Sequence, residues 1–349
     1  MNDELREGVP ATMRAVELRS YEEGAGGLSV VEKPLPRPRH GEVLVRIAAA
    51  PANPSDLMFL TGLYGQRKRL PVVPGFEGSG VVVGSGGGFM SRFLKGRRVA
   101  CAAPFDGDGT WAEYMVAPAA QCIPLRKSVD LEQAASMIVN PFTAWALVET
   151  ARASGARGVV QTAAASALGR MVVRLARSRG LHLVNVVRRD EQVRLLEAEG
   201  AAHVLNSESE DFDERLKELC TRLGATVAFE AVAGELTGRV LRAMPKGGRA
   251  IVYGALSQDG CLVDPRSLIF EDKRVEGFWL SKWLLEMNPL SRLLVAGRVQ
   301  KLLASELKTE VRARLPLERA AEGLRQYKHE MTGGKVIFVP GADADRRPA

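Results

Sequence analysis

The sequence predicts an α/β protein of two domains: a mostly-β domain built from both chain ends, and a doubly wound parallel-sheet domain between them. Three observations predict it. The 349 residues exceed the usual span of one core. The first third holds short β-branched runs separated by Gly and Pro. From Leu131 onward, strand-like and helix-like runs alternate.

Between Met13 and Pro124, runs such as Glu42–Ile47 and Gly80–Gly84 read as strands. Helical patterns then cover Ala134–Met137 and Ala144–Ala153. Strand Gly158–Thr162, helix Gly169–Arg179, strand Leu181–Val187 and helix Asp190–Glu199 form βαβ units. Strands Ala201–Leu205, Val227–Glu230 and Arg249–Tyr253, with helix Asp211–Leu223 among them, continue the series. Right-handed crossovers wind such a series into a parallel sheet. After Phe278–Leu280 come an amphipathic helix with Leu290, Leu293, Leu294 and Val295, a helix around Leu317–Tyr327 and a strand Lys335–Val339. These are expected to return to the first domain. The boundaries are therefore 13–138 completed by 285–340, and 139–284, with 1–12 and 341–349 as flexible tails.

Hydrophobic residues at 46% and charged residues at 26% fit an ordinary globular chain and argue against a disordered or fibrous one. The net charge of +7 is scattered, without a basic repeat or finger, so no nucleic-acid partner is expected. No apolar run approaches membrane-spanning length, so no membrane role is expected. Asp3, Glu4 and Glu7 make the start unlike a secretory signal or an organellar presequence. Cys101, Cys122, Cys220 and Cys261 include no CxxC pair, which argues against a disulfide framework and a compact metal knuckle. The expected compartment is the cytoplasm. His40, His182, His203 and His329 are unclustered and read as ordinary core or surface residues.

The turn after strand Gly158–Thr162 reads Ala163-Ala164-Ala165-Ser166-Ala167-Leu168-Gly169. It keeps the spacing of G-x-G-x-x-G with Ala164 and Ser166 in place of the first two glycines. Backbone N–H groups of Ala165 to Gly169 at a helix start would approach a pyrophosphate, favoured by the helix dipole. The same small residues also serve plain strand-to-helix packing. Where an NAD site would place an acidic residue, the second strand ends in Val187-Arg188-Arg189. Two guanidiniums there suit a 2′-phosphate and point to NADPH, the alternative being a solvated arginine pair. Asp190 reads as the N-cap of the next helix.

With these motifs the chain resembles the medium-chain dehydrogenase/reductase superfamily from Met13 to Val339. It is most similar to the mitochondrial-type 2-enoyl thioester reductase branch, and next to the quinone oxidoreductases. The segments carrying the resemblance are Ala50–Asp56, Gly62–Gly65, Val139–Ala144, Asn185–Arg188 and Gly277–Trp283. It implies a GroES-like catalytic domain, a Rossmann domain, an active-site cleft between them and a homodimer. It also implies a zinc-free site. The positions matching the metal-ligating Cys and His of zinc-dependent relatives hold Asn53 and Phe76, neither of which replaces thiolate or imidazole. The structural-zinc lobe is replaced by Ala103–Trp111.

The resemblance implies NADPH-dependent reduction of an activated C=C bond, with a trans-2-enoyl thioester of coenzyme A or an acyl carrier protein as substrate. The alternative is a quinone or enone reductase, and a third reading is a cofactor-binding protein without turnover. Tyr64 matches the branch's proton donor; its other reading is a cover over the cleft. Asn53 would orient substrate or tyrosine, or only fix the Asn-Pro turn. Asn140 would contact cofactor or cap a helix. Tyr253, Gly254, Ala255, Leu256, Phe278, Trp279 and Leu280 would border the nicotinamide, and Lys335 would reach the cofactor phosphates. Trp283 and Phe142, with Phe278 and Trp279, are candidates for an acyl pocket, or core.

Two departures qualify the match. The branch's Asn and Gly are absent from the turn at Ala164–Ala167, which predicts weaker cofactor affinity, and Arg188-Arg189-Asp190 leaves open which arginine meets phosphate. The cationic run Gln66-Arg67-Lys68-Arg69 would attract carrier phosphates or be a solvated loop.

Overall fold

The computed structural model describes residues 9–22 and 26–341, and it divides into two units, Met1–Val139 with Ala296–Ala349, and Asn140–Val295. The second crossing falls inside the helix Pro289–Leu302 rather than at residue 284. Most of both expected tails lies outside the described residues, but Thr12 already pairs with Pro34.

In the first unit, β1 (Thr12–Leu18) and β2 (Leu28–Pro34) form an antiparallel ribbon. The hub is β3 (Glu42–Pro51), which pairs antiparallel with β4 (Glu77–Ser85) and with β6 (Tyr114–Pro118). Beyond β4 lie β5 (Arg98–Ala102) and β7 (Cys122–Pro124). Val43, Leu44 and Val45 are all buried, so β3 is covered on both faces. That is why its apolar residues run on instead of alternating.

The second unit carries β8 (Gly158–Gln161), β9 (His182–Val187), β10 (Val204–Asn206), β11 (Ala225–Glu230), β12 (Arg249–Val252) and β13 (Arg274–Gly277). All neighbours are parallel, in the order β10-β9-β8-β11-β12-β13. The chain moves outward from β8 to β10, then returns to the other side of β8. Ligands of open α/β sheets bind at the carboxyl ends of strands flanking such a reversal. The outer strand β13 has every residue exposed.

The chain end supplies β14 (Val311–Leu315) and β15 (Lys335–Phe338) to the first unit. β15 pairs antiparallel with β3 through Ile337↔Pro51 and Phe338↔Ala50, and the Trp111 and Phe338 rings meet edge-on at 5.0 Å. No helix among the described residues is long and apolar enough to cross a membrane.

Candidate active site

In the second unit, the turn after β8 leaves Gln161 and enters the helix Ala167–Ser178. Ser166 is its N-cap, and the Ser166 hydroxyl accepts the Gly169 N–H at 3.0 Å. The first N–H groups of a helix lack intrahelical acceptors, so the turn offers donors and a positive dipole end to an anion. The turn is drawn close: Ala163 takes φ +49°, and the Ala164 N–H donates to Val186 O at 3.1 Å. That bond sets the turn beside the end of β9, where Arg188 and Arg189 are both exposed. These residues can hold a dinucleotide with a 2′-phosphate. Asp190 is the first helical residue rather than the cap; Arg189 occupies the cap position, and the Asp190 carboxylate accepts from the Asn206 amide at 2.7 Å.

The ends of β11, β12 and β13 are tied together by backbone bonds. Tyr253 N–H donates to Glu230 O at 2.9 Å, Leu256 N–H to Ala231 O at 3.0 Å, and Phe278 N–H to Val252 O at 2.8 Å. Tyr253, Gly254 and Ala255 are half-buried, while Leu256 and Trp279 are exposed at 41% each, so this edge presents surface to a ligand. Phe278 and Trp283 approach at 6.4 Å, with Leu280 opening the helix that carries Trp283. Asn140 is 5% exposed at the start of helix Asn140–Ala153. Phe142, one residue into that helix's first turn beyond Pro141, is 1% exposed; it is core rather than an open pocket wall.

Glu230 and Thr162 were not singled out from the sequence. The buried Glu230 carboxylate accepts from the Thr162 hydroxyl at 3.1 Å and the Ala233 N–H at 2.9 Å, and it shapes the loop in which Ala233 takes φ +68°. Burial raises its pKa, and burial followed by the Glu230 charge pushes the Tyr253 phenol up. The available signal was a carboxylate closing the apolar run Val227-Ala228-Phe229.

In the first unit, Tyr64 follows the helix Pro54–Leu60 through a turn in which Gly62 takes φ +73°. Its N–H donates to Met58 O at 3.2 Å, and its half-buried ring lies 4.7 Å from that of Phe76. Arg67 and Lys68 are engaged nearby. Arg67 Nε donates to Gly62 O at 2.9 Å, and Lys68 Nζ donates to Pro104 O and Gly107 O at 2.9 and 2.7 Å. Two of the three cations of the run therefore brace loops.

Two assignments need correction. Lys335 is fully buried, donating from Nζ to Ala52 O at 3.1 Å and to Asn53 Oδ1, so its ammonium is engaged inside the first unit instead of standing free for a phosphate. Asn53 is also fully buried; its Nδ2 donates to Glu77 Oε1 at 3.0 Å and its Oδ1 accepts from Lys335, so its side chain is turned to these buried charges. The sequence reading also missed Asp56 and Glu77, which complete this cluster. Their signal was two acidic residues inside otherwise apolar or glycine-rich segments.

Two family models match the chain: the alcohol dehydrogenase GroES-like domain over residues 39–127, and zinc-binding dehydrogenase over residues 167–296. The mitochondrial enoyl-[acyl-carrier-protein] reductase of Arabidopsis thaliana is 34% identical over 273 residues, covering 76% of this chain and 72% of that protein. A structure assigned as an NADPH:quinone reductase from Mesorhizobium loti superposes with a TM-score of 0.88 at 36% identity, over 95% of this chain and 99% of the other. The quinone oxidoreductase of Thermus thermophilus, solved also with NADPH, gives 0.76 at 28% identity, over 94% and 100%.

Proposed function

We propose that this chain, which belongs to the medium-chain dehydrogenase/reductase superfamily and is an oxidoreductase, reduces the C=C bond of a trans-2-enoyl thioester with NADPH. The observation that carries the reading is Tyr64, held by its backbone and ring in the glycine turn after Pro54–Leu60. Ala165–Gly169 would hold the pyrophosphate and Arg188 and Arg189 the 2′-phosphate. NADPH held there would supply a hydride to the β-carbon and leave as NADP⁺, the C=C π pair moving toward the thioester carbonyl. The Tyr64 phenol gives its proton to the α-carbon and recovers one from solvent. The product is the saturated thioester.

In this reading no zinc takes part, because Asn53 and Phe76 offer no thiolate or imidazole. A carbonyl conjugated to the double bond carries the developing charge instead. The acyl carrier, coenzyme A or a carrier protein, is part of the same proposal. Quinone reduction is the second reading, supported by the likeness to the Mesorhizobium loti structure.

The test is NADPH consumption with crotonyl and longer trans-2-enoyl coenzyme A esters beside a simple quinone, for the wild type and Tyr64→Phe. The expected result is thioester turnover that falls roughly 10²- to 10⁴-fold in the variant, with NADPH binding retained. Turnover of quinone alone, or a variant as fast as wild type, contradicts the reading.

The homodimer is part of the proposal. Support comes from the open edge of strand β13 and from Val275, Leu285, Leu290, Leu293 and Leu294, all exposed in the same unit. A second copy pairing along β13 by a two-fold axis satisfies the open edge.

A further inference from the structure

The proposed reaction leaves three buried charged side chains of the first unit without a role: Asp56, Glu77 and Lys335, each with no exposed surface. They arrive from the helix Pro54–Leu60, the start of β4 and the start of β15. Asn53 links Lys335 to Glu77, and the second Glu77 oxygen accepts the N–H groups of Ile138 and Val139, each at 2.8 Å. Asp56 accepts the Asn53 N–H at 2.8 Å and the Phe76 N–H at 3.1 Å. Removing one member leaves another charge buried and uncompensated, so the cluster holds one arrangement.

We propose that Lys335 and Glu77 are positioning residues for the proton donor, setting where Tyr64 stands through Asp56, Phe76 and the helix Pro54–Leu60. The inference rests on the reading of Tyr64 as that donor. Two paths connect cluster and tyrosine. Asp56 fixes the backbone of Phe76, whose ring lies 4.7 Å from that of Tyr64. Asp56 and Asn53 also fix the start of the helix, and at its far end Met58 O accepts the N–H groups of Leu63 and Tyr64 at 3.0 and 3.2 Å.

The cluster is also poised to change charge. Two carboxylates face one ammonium, and burial pushes Asp56 up to about 7 and Lys335 down to about 8, with the opposite charges limiting both shifts. The other groups facing it are the Tyr327 phenol, whose ring centroid is 5.8 Å from Lys335 Nζ, the Cys101 thiol near Glu77, and Lys68 near Asp56. A shift of protonation near neutrality then alters the support under Tyr64.

The experiment compares wild type with Lys335→Met and Glu77→Gln in the full chain, using two readouts. One is the pH profile of kcat with the best acceptor, alongside KM for NADPH. The other is the ¹⁹F resonance of fluorotyrosine at position 64 at pH 7, assigned among the five tyrosines with Tyr64→Phe. The proposal expects at least a tenfold fall in kcat, an unchanged KM for NADPH, a displaced pH profile and a moved resonance. Where Lys335→Met does not fold, Glu77→Gln, which nearly keeps the volume, carries the test. A folded variant with the resonance unmoved overturns the proposal, as does a loss confined to KM. The resonance needs no turnover, so failure of the enoyl reading and failure of this inference are told apart.

Discussion

Gly169 stands so close to Ala164 that a Cβ on it would fall 2.4 Å from the Ala164 carbonyl oxygen and 2.7 Å from that of Ala163. The third small position of the turn therefore sets how near the helix approaches β8. Gly169→Ala must push the helix away or distort the turn, at a cost of about 1–3 kcal/mol, as overpacking of a dense interior usually does. Urea denaturation with and without NADPH is expected to show that loss together with weaker cofactor binding. An unchanged midpoint and unchanged affinity would contradict the close approach.

Arg188 and Arg189 are both exposed at the end of β9, beside the turn that Ala164 ties to Val186. If they meet a 2′-phosphate, charge-assisted hydrogen bonds worth ~1.5–3 kcal/mol are lost on replacing both by Ala, which corresponds to roughly 10- to 100-fold in affinity. Titrating the double variant with NADPH and NADH should show the loss for NADPH alone. Equal losses for both cofactors would make the arginines a general feature of the fold.

Asp56 is fully buried, and burial raises its pKa from 3.8 to about 7, with coupling to its neighbours. Between these values the native state keeps the proton that the unfolded chain has released, so this group's contribution to stability falls as pH rises. Asp56→Asn cannot titrate. The unfolding free energy of wild type minus that of this variant should therefore fall from pH 4.5 to pH 6.5 in urea melts. A difference that does not fall would mean that native Asp56 is ionised across this range.

Strand β13 exposes all four of its residues, with Val275 at 37%. A lysine at Val275 places two like charges near a two-fold axis if a second copy pairs along this edge. Light scattering should find the wild type at twice the chain mass and Val275→Lys at one. A wild-type monomer, or a variant dimer as tight as wild type, would remove this edge from the interface.

Much of this architecture was legible because it is written locally. The alternation from β8 to β12 follows apolar runs bounded by turns, and the small residues from Ala163 to Gly169 mark the close helix approach directly. Other parts depend on residues far apart in the chain. Lys335 begins an apolar strand and reads as a contact to cofactor phosphates; its partner Asn53 is 282 residues away. Asn53 likewise reads as a turn or substrate group until Glu77 and Lys335 are seen to occupy both ends of its amide. Strand β13, Arg274-Val275-Glu276-Gly277, lacks an apolar pattern because one of its edges and its side chains are open. The position of Asp190 turned on one residue at a helix start, where boundaries are least defined.

The most direct measurement of the central claim follows isotopes into the product. Crotonyl coenzyme A is incubated with the enzyme and NADPH deuterated at the transferring position, and the saturated thioester is analysed by mass spectrometry and NMR. The account predicts one deuterium at carbon 3 from the cofactor and, in D₂O with unlabelled NADPH, one at carbon 2 from solvent. Consumption of NADPH without a saturated thioester, or with no cofactor deuterium at carbon 3, would contradict it.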